Sequence, residues 1–446
     1  MRYIDSLDIK SDVQCFILIE PGRGYLVSAL RERFKDSKII VFHIDESLKG
    51  CEPSDSSVPA LYSTDANSVQ SFLERETPET DSSAIRIIEW RPSLNFYGEK
   101  YVKLLSHVVE FIKRLDAGHR TTSAFGRRWF KNFFKNLEIT RHALLYRTAD
   151  IPVIVTGSGP SLEKALPVIR NVQNECLIIA ASSSVMALSH SGIQADIVIA
   201  ADGGGWALLH LYPYFRAGSI CPIAANLCAA LPSQCADIPR LVINDGSLWQ
   251  SVILHELSLP SVVIPQKGTV TAYAVELAML LSGGNIYLAG MDLSLKDIRT
   301  HVRPYGFDHL LFDSACRLAP VYSKTFLRSR QIQEGESYKI YAQWFKNRLS
   351  SWPKRIFSLA GGNEVFENAL PPETAGKKAD GFFKTFSVND GASSLREKGK
   401  AALFSALENS RFSSGIKAEL APLLFPGKKE VSQAELKTAI NEAVHG

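Results

Sequence analysis

Ile151-Pro152-Val153-Ile154-Val155-Thr156-Gly157-Ser158-Gly159-Pro160-Ser161-Leu162 is the stretch on which the fold turns. Its uncharged first half, rich in Val and Ile, reads as a strand over Ile151–Thr156. Two glycines follow, then a helix over 162–172 in which Leu162, Ala165, Leu166 and Ile169 recur on one face. Ser161 stands where an N-cap belongs, and Pro167 is expected to kink the helix or shorten its start. Strand, tight loop and amphipathic helix in that order make one βα unit.

The unit repeats outward. Further strands are expected at Leu177–Ala181, Asp196–Ala201, Pro222–Ala225, Arg240–Asn244, Ser261–Ile264 and Asn285–Ala289, with helices at Val185–Ser191, Trp206–Phe215 and Val270–Leu281. β-branched strands without charge imply burial on both faces. The expected class is therefore α/β, with a central, mostly parallel, doubly wound, Rossmann-like sheet. Charge agrees: Lys and Arg number 12 against 5 Asp and Glu over 91–150, 5 against 9 over 151–293, and 12 against 5 over 294–360. A low-charge block between basic flanks reads as a buried core. The flanks supply exposed helices or a surface for an anionic ligand.

Upstream, Cys15–Ile19 and Lys38–Phe42 read as strands around a helix at Gly24–Phe34, a small α/β module assigned to residues 1–95. Polar stretches Glu52–Ser57 and Glu74–Ser83 interrupt it. A helical connector is expected over 96–150, with Val102, Leu105, Val109 and Ile112 on one face and Trp129–Leu145 continuing it. The central domain takes 151–320 and a helical C-terminal region 321–446. Within the latter, Tyr322–Phe357 reads as helical and basic, Gly361–Asp390 as loop, and Leu395–Leu407 and Gln433–Val444 as helices. No internal repeat is visible.

With 446 residues, 46% hydrophobic and 22% charged, the composition is that of a globular chain of several domains. A net charge of +4 does not suit a dedicated nucleic-acid binder. Seven cysteines, an odd number, suggest free thiols in a reducing compartment. Arg2, Asp5, Asp8 and Asp12 leave no room for a signal-peptide core, and the longest uncharged stretches are too polar to span a membrane. The expectation is a cytoplasmic protein with neither a membrane nor a nucleic-acid partner.

Chemistry is expected at the carboxyl ends of the strands, where open α/β sheets bind ligands. Gly157, Ser158, Gly159, Pro160 and Ser161 can bring main-chain amides and a helix amino end to an anion, although such a loop also occurs as a purely structural turn. A dinucleotide fingerprint is excluded, since Leu162 stands where a third glycine belongs and the next strand ends in Ser182, Ser183 and Ser184 rather than an acid. No Lys-Ser/Thr pair completes a P-loop. Asp202, Asn226, Asp245 and Asp292 close later strands and either serve a site or cap turns. Lys267-Gly268-Thr269-Val270-Thr271 is a second helix start that suits an anion or an ordinary Thr cap. His301, nine residues beyond Asp292, is the candidate general base. Cys221, Cys228 and Cys235 lack the partners of a metal set and read as small buried hydrophobes, and no Asp-X-Asp pair occurs. No metal ligand is assigned.

Arg127-Arg128-Trp129-Phe130-Lys131-Asn132 through Asn136-Leu137, followed by Ile151–Val155 and Gly157–Leu162, resembles the motility-associated factors. These share a domain with archaeal-type 6-hydroxymethylpterin pyrophosphokinases. Gly268–Leu281, Ile286–Leu293 and Thr300-His301 resemble that family's second signature, and the resemblance covers roughly 127–350. It implies a sialyltransferase-like central domain and a metal-independent transferase moving a nonulosonic acid from a CMP-sugar to Ser or Thr of flagellin. By that similarity Gly157, Gly159 and Ser161 contact CMP, with Ser182–Ser184 and Asn226 nearby, and His301 is the base. Ser158 replaces an amide of the sialyltransferase loop. Tyr273 and Tyr305 are the candidates for assisting the departing phosphate. No cofactor is implied beyond the donor.

Two alternatives remain open on the sequence. One is a pyrophosphokinase using ATP and magnesium, for which Asp202, Asp245 and Asp292 would have to converge. The other is a non-catalytic factor that binds flagellin and assists export. The sugar, the acceptor hydroxyls and the oligomeric state are not encoded in any motif.

Overall fold

The computed structural model describes residues 2–445 apart from 8, 10–12, 50–57, 78–83, 294, 296, 335–340, 343, 347, 349–351, 360–364, 372–381, 389–393 and 429. The expected loop at Glu52–Ser57, and parts of Glu74–Ser83 and Gly361–Asp390, lie outside the described residues. The chain divides into two compact units, Met1–Ala124 and Phe125–Gly446. No helix among the described residues is long and apolar enough to cross a membrane.

The first unit is a four-stranded parallel sheet. Its strands are β1 (Cys15–Ile19), β2 (Lys38–His43), β3 (Ala60–Tyr62) and β4 (Ile85–Glu89), in the order β3-β2-β1-β4. Alternate residues of β1 feed two cores. Cys15, Ile17 and Ile19 pack with Phe42, Phe72 and Tyr101, while Phe16 and Leu18 pack with Leu26, Leu30 and Val41. Burial on both faces is why β1 carries no polar residue, whereas β4 exposes Arg86 and Glu89.

A long helix over Glu99–Glu138 holds the division between units, and it ends before the expected 145. His142–Tyr146 is instead a strand, β5, paired antiparallel with β14 (Phe383–Ser387) and parallel with β10 (Arg240–Asn244). A short apolar run such as Ala143-Leu144-Leu145 suits either structure by periodicity, and pairing decides it.

The second unit is built on a ten-stranded sheet. The central strands are β6 (Val153–Thr156), β7 (Leu177–Ala181), β8 (Ile197–Ala200), β9 (Ile223–Asn226), β10, β11 (Ser261–Val263) and β12 (Ile286–Ala289). They run in the order β13-β12-β6-β7-β8-β9-β10-β5-β14, with β11 beside β10 and β13 at Ile356–Ser358. Every pairing is parallel except β5 with β14. The doubly wound α/β class expected from the sequence is what the chain forms. The region beyond 321 gives two strands to this sheet: β13, at the end of the expected helix Tyr322–Phe357, and β14, within the stretch Gly361–Asp390 expected as loop. It also contains helices Val321–Glu334, Leu395–Glu408, Ser410–Leu424 and Gln433–His445, the third of which carries no expectation above.

The run Arg127–Leu137 earns its place by clamping the loops at the sheet's carboxyl edge. Asn132 Nδ2 donates to the carbonyls of Gly203 (3.2 Å) and Cys228 (3.0 Å), and Asn136 Nδ2 donates to those of Leu227 and Ala229, both 2.7 Å. The Trp129 indole fills the space a side chain at Gly203 would need. Buried carbonyls of irregular loops require such donors. Cys221 and Cys235 are buried, as expected of small hydrophobes, and Cys228 is half-buried.

Candidate functional site

From β6 the chain steps steadily through β7, β8 and β9 to β10, then crosses back to lay β12 on the other side of β6. The loops after β6 and β12 therefore leave in opposite directions, and a crevice opens between them at the carboxyl edge. A cavity of about 260 Å3 lies there.

Two glycines let the neighbouring strands close beneath it. A Cβ on Gly157 would come within 2.6 Å of the Gly290 carbonyl oxygen, and Gly290 itself sits at φ 67°. Only glycine permits both the approach and that backbone. Gly159 has a different reason: a side chain there would occupy the position of the Asp292 carboxylate. Asp292 accepts from Ser161 N (3.2 and 3.1 Å) and from Ser161 Oγ (3.0 Å). Leu293, the next residue, is held at φ 50°, a strained setting for a leucine.

This changes the picture drawn from the sequence. Ser161 does not cap the helix Leu162–Val172 with its side chain; its hydroxyl goes to Asp292. The amides of Gly157, Gly159 and Leu162 donate to Ala289, Gly290 and Gly159 carbonyls. The helix start expected to grip a ligand's anion thus already holds a protein carboxylate, with the favourable electrostatics that any anion would gain there.

The second helix start differs. In Val270–Leu281, Thr269 is the N-cap, and its side chain accepts from Ala272 N (3.1 Å). Thr269, Val270 and Thr271 all line the cavity, and the first-turn amides of Val270 and Thr271 take no acceptor among the described residues. A helix of this length presents partial positive charge at such amides. Of the two readings that the sequence left open for Thr269, the ordinary cap is formed.

His301 reaches the cavity because Val302 N donates to Ser158 O (2.8 Å) and Arg299 Nη1 meets both carboxylate oxygens of Glu163 at 3.0 Å. Its Nδ1 pairs with Thr300 Oγ1 at 2.8 Å, leaving Nε2 for a ligand. The ring stacks on Tyr305, centroids 4.1 Å apart and 14° from parallel. Burial first, then the charge of Arg328, then His210, pull its pKa from 6.5 down to about 3. His210, on the helix Leu208–Arg216, is 7% exposed and lines the same cavity; its Nδ1 has no hydrogen-bond partner among the described residues. Burial and Arg328 lower it to about 4. Both imidazoles are neutral near pH 7. Tyr341, also in the wall, is raised by burial and by Asp202, so its phenol keeps the proton it can donate.

Of the residues named from the sequence, Ser158, Gly159, Ser182, Ser183, Asp202, Thr269, Asp292 and His301 meet in this one cavity, with Tyr305. Gly157 and Pro160 lie buried beneath the loop, and Ser161 acts through Asp292. Gly268 sits outside the lining, under the Tyr341 ring. Asn226 is buried, its Oδ1 accepting from Cys228 N (2.7 Å), the turn-forming role rather than a wall position. Tyr273 belongs to the core at 4% exposure. Asp245 is engaged by Ser247 N and Gln250 Nε2 and does not line the cavity, so the three aspartates do not converge there. No group of three His, Cys, Asp or Glu among the described residues is spaced to hold a metal ion. His210 and Tyr341 went unnoticed in the sequence. Each sits within or beside a helical pattern that gives no sign of which face meets the sheet edge.

Residues 127–297 match the family described as 6-hydroxymethylpterin diphosphokinase MptE-like. A relative from Treponema pallidum (strain Nichols), described as an uncharacterized protein, is 26% identical over 282 residues. That match covers 63% of this chain and 61% of the relative, so the chain spans less than two thirds of its length. The structure of MAf glycosyltransferase from Magnetospirillum magneticum AMB-1 aligns with a TM-score of 0.52 and 13% identity, covering 97% of this chain and 72% of that one. That likeness is one of fold.

Proposed function

Because this chain is built around the MptE-like domain and shares the fold of a motility-associated factor, we propose that it is a cytoplasmic glycosyltransferase moving a nonulosonic sugar from a CMP donor to Ser or Thr of flagellin. One observation carries this most: a neutral imidazole, His301, is held against Tyr305 in the same small cavity as a helix start with open amides. The donor's phosphate lies at the first turn of Val270–Leu281, with Tyr341 as a further hydrogen-bond donor. As the bond from sugar C2 to the phosphate oxygen breaks, its electron pair leaves with CMP and positive charge builds on the sugar. The acceptor oxygen then bonds to C2, and its proton passes to Nε2 of His301.

Burial, and after it the charge of Arg328, make His301 a weak base, and the negative phosphate of a donor acts opposite to Arg328. No step requires a cofactor besides the donor.

The family match supports a second reading, diphosphate transfer from ATP with magnesium, for which Asp202 and Asp292 line the same cavity. Melting curves with CMP and with ATP, each with and without magnesium, separate the two. The transferase requires stabilisation by CMP that is indifferent to magnesium, and transfer of labelled sugar to purified flagellin. Stabilisation by ATP only with magnesium reverses the order of the two readings.

A further inference from the structure

Neighbouring residues of the helix Leu208–Arg216 face two different cavities. His210 lines the donor cavity, whereas Leu209, Tyr212, Pro213 and Arg216 line a second one of about 800 Å3, completed by Gln234 and His309. Tyr305 belongs to both walls, and it is the ring on which His301 stacks. We propose that this second cavity is the acceptor cleft, taking an extended, Ser- or Thr-bearing polypeptide segment and presenting its hydroxyl past Tyr305 to His301.

The inference rests on the transferase reading and on three physical points. First, at about 260 Å3 the inner cavity has no room for a polypeptide segment beside a donor. The acceptor has to come from a neighbouring concavity that reaches the same base. Second, the chemistry of the cleft suits a neutral peptide. Its walls offer apolar surface in Leu209 and Pro213, and hydrogen-bonding ends in Tyr212 and Gln234. Its lining holds a single Arg, no Lys and no carboxylate, so it lacks the clustered cations with which a polyphosphate is gripped. Third, Gly306, next to Tyr305, cannot carry a side chain, because a Cβ there would meet Leu209 O and the His210 backbone. The loop that carries Tyr305 therefore lies directly against the helix Leu208–Arg216, whose residues line both cavities.

The test places a photo-crosslinking residue at Gln234, on the exposed rim, and uses purified, unglycosylated flagellin as the probe. A covalent adduct is expected on illumination. In parallel, Tyr212→Ala is expected to raise KM for flagellin by about tenfold or more, the usual loss for a buried aromatic anchor. Hydrolysis of the CMP-sugar without acceptor, and stabilisation by CMP, are expected to stay at wild-type levels. No adduct from 234, or an unchanged KM in Tyr212→Ala while the wild type transfers sugar, overturns the cleft and leaves the donor assignment standing. An adduct with no CMP-sugar consumed by the wild type does the reverse. A second copy of this chain crosslinked in place of flagellin also overturns it.

Discussion

Asp292→Asn separates two places for the donor's phosphate. The carboxylate takes a bifurcated bond from Ser161 N and a third contact from Ser161 Oγ, all at 3.0–3.2 Å, at the start of Leu162–Val172. A hydrogen bond to a charged group contributes about 1.5–3 kcal/mol, and a carboxylate at a helix amino end about 0.3–1 kcal/mol. The amide keeps one acceptor oxygen but loses the charge and the second oxygen, so the expected loss is about 1–2 kcal/mol. For a unit of about 320 residues that lowers Tm by about 1–3 °C. The assay is a thermal melt with and without CMP. If the phosphate binds at Val270 and Thr271, the variant melts earlier while the shift induced by CMP stays within error of wild type. An unchanged Tm together with a vanished CMP shift would refute the reasoning, because Asp292 would then be meeting the ligand and not the helix.

His301→Ala is expected to lower sugar transfer by about two to four orders of magnitude while leaving CMP stabilisation nearly intact, checked by single-turnover transfer and melting. Acid should destabilise the protein through His210 and His301. Their folded values, about 4 and about 3, lie below the unfolded 6.5, so the unfolded chain takes up protons first. Their contribution is complete above pH 6.5 and fades as pH falls toward 3; melting from pH 7 to pH 4 should show a slope that His210→Asn reduces. Gly290→Ala puts a Cβ against the Gly157 carbonyl oxygen at a backbone φ of 67°, so about 2 kcal/mol or more of stability should be lost in a denaturant titration.

Much of the central sheet was legible because its signal is local. Apolar, β-branched runs placed Leu177–Ala181 and Arg240–Asn244 at the observed bounds. Glycine-rich punctuation marked where β6 and β12 end. The outer strands were not legible: β5 continues an apolar pattern that follows a helix, and β14 lies in a stretch of turn-forming residues. Each becomes a strand by pairing with the other, residues 142–146 with 383–387, and no local pattern encodes a partner so far away.

The site divides the same way. Sequence determined which residue types stand at the carboxyl ends of the strands, and with them the glycines, serines, Asp292 and His301. Only the tertiary structure decided which helix start is already met by a protein carboxylate. Asp292 follows a strand 131 residues beyond Ser161, and strand crossing brings its carboxylate onto the Ser161 amide. Only it could show His210 meeting Tyr305, since a helix pattern fixes which residues share a face and leaves open what that face will touch.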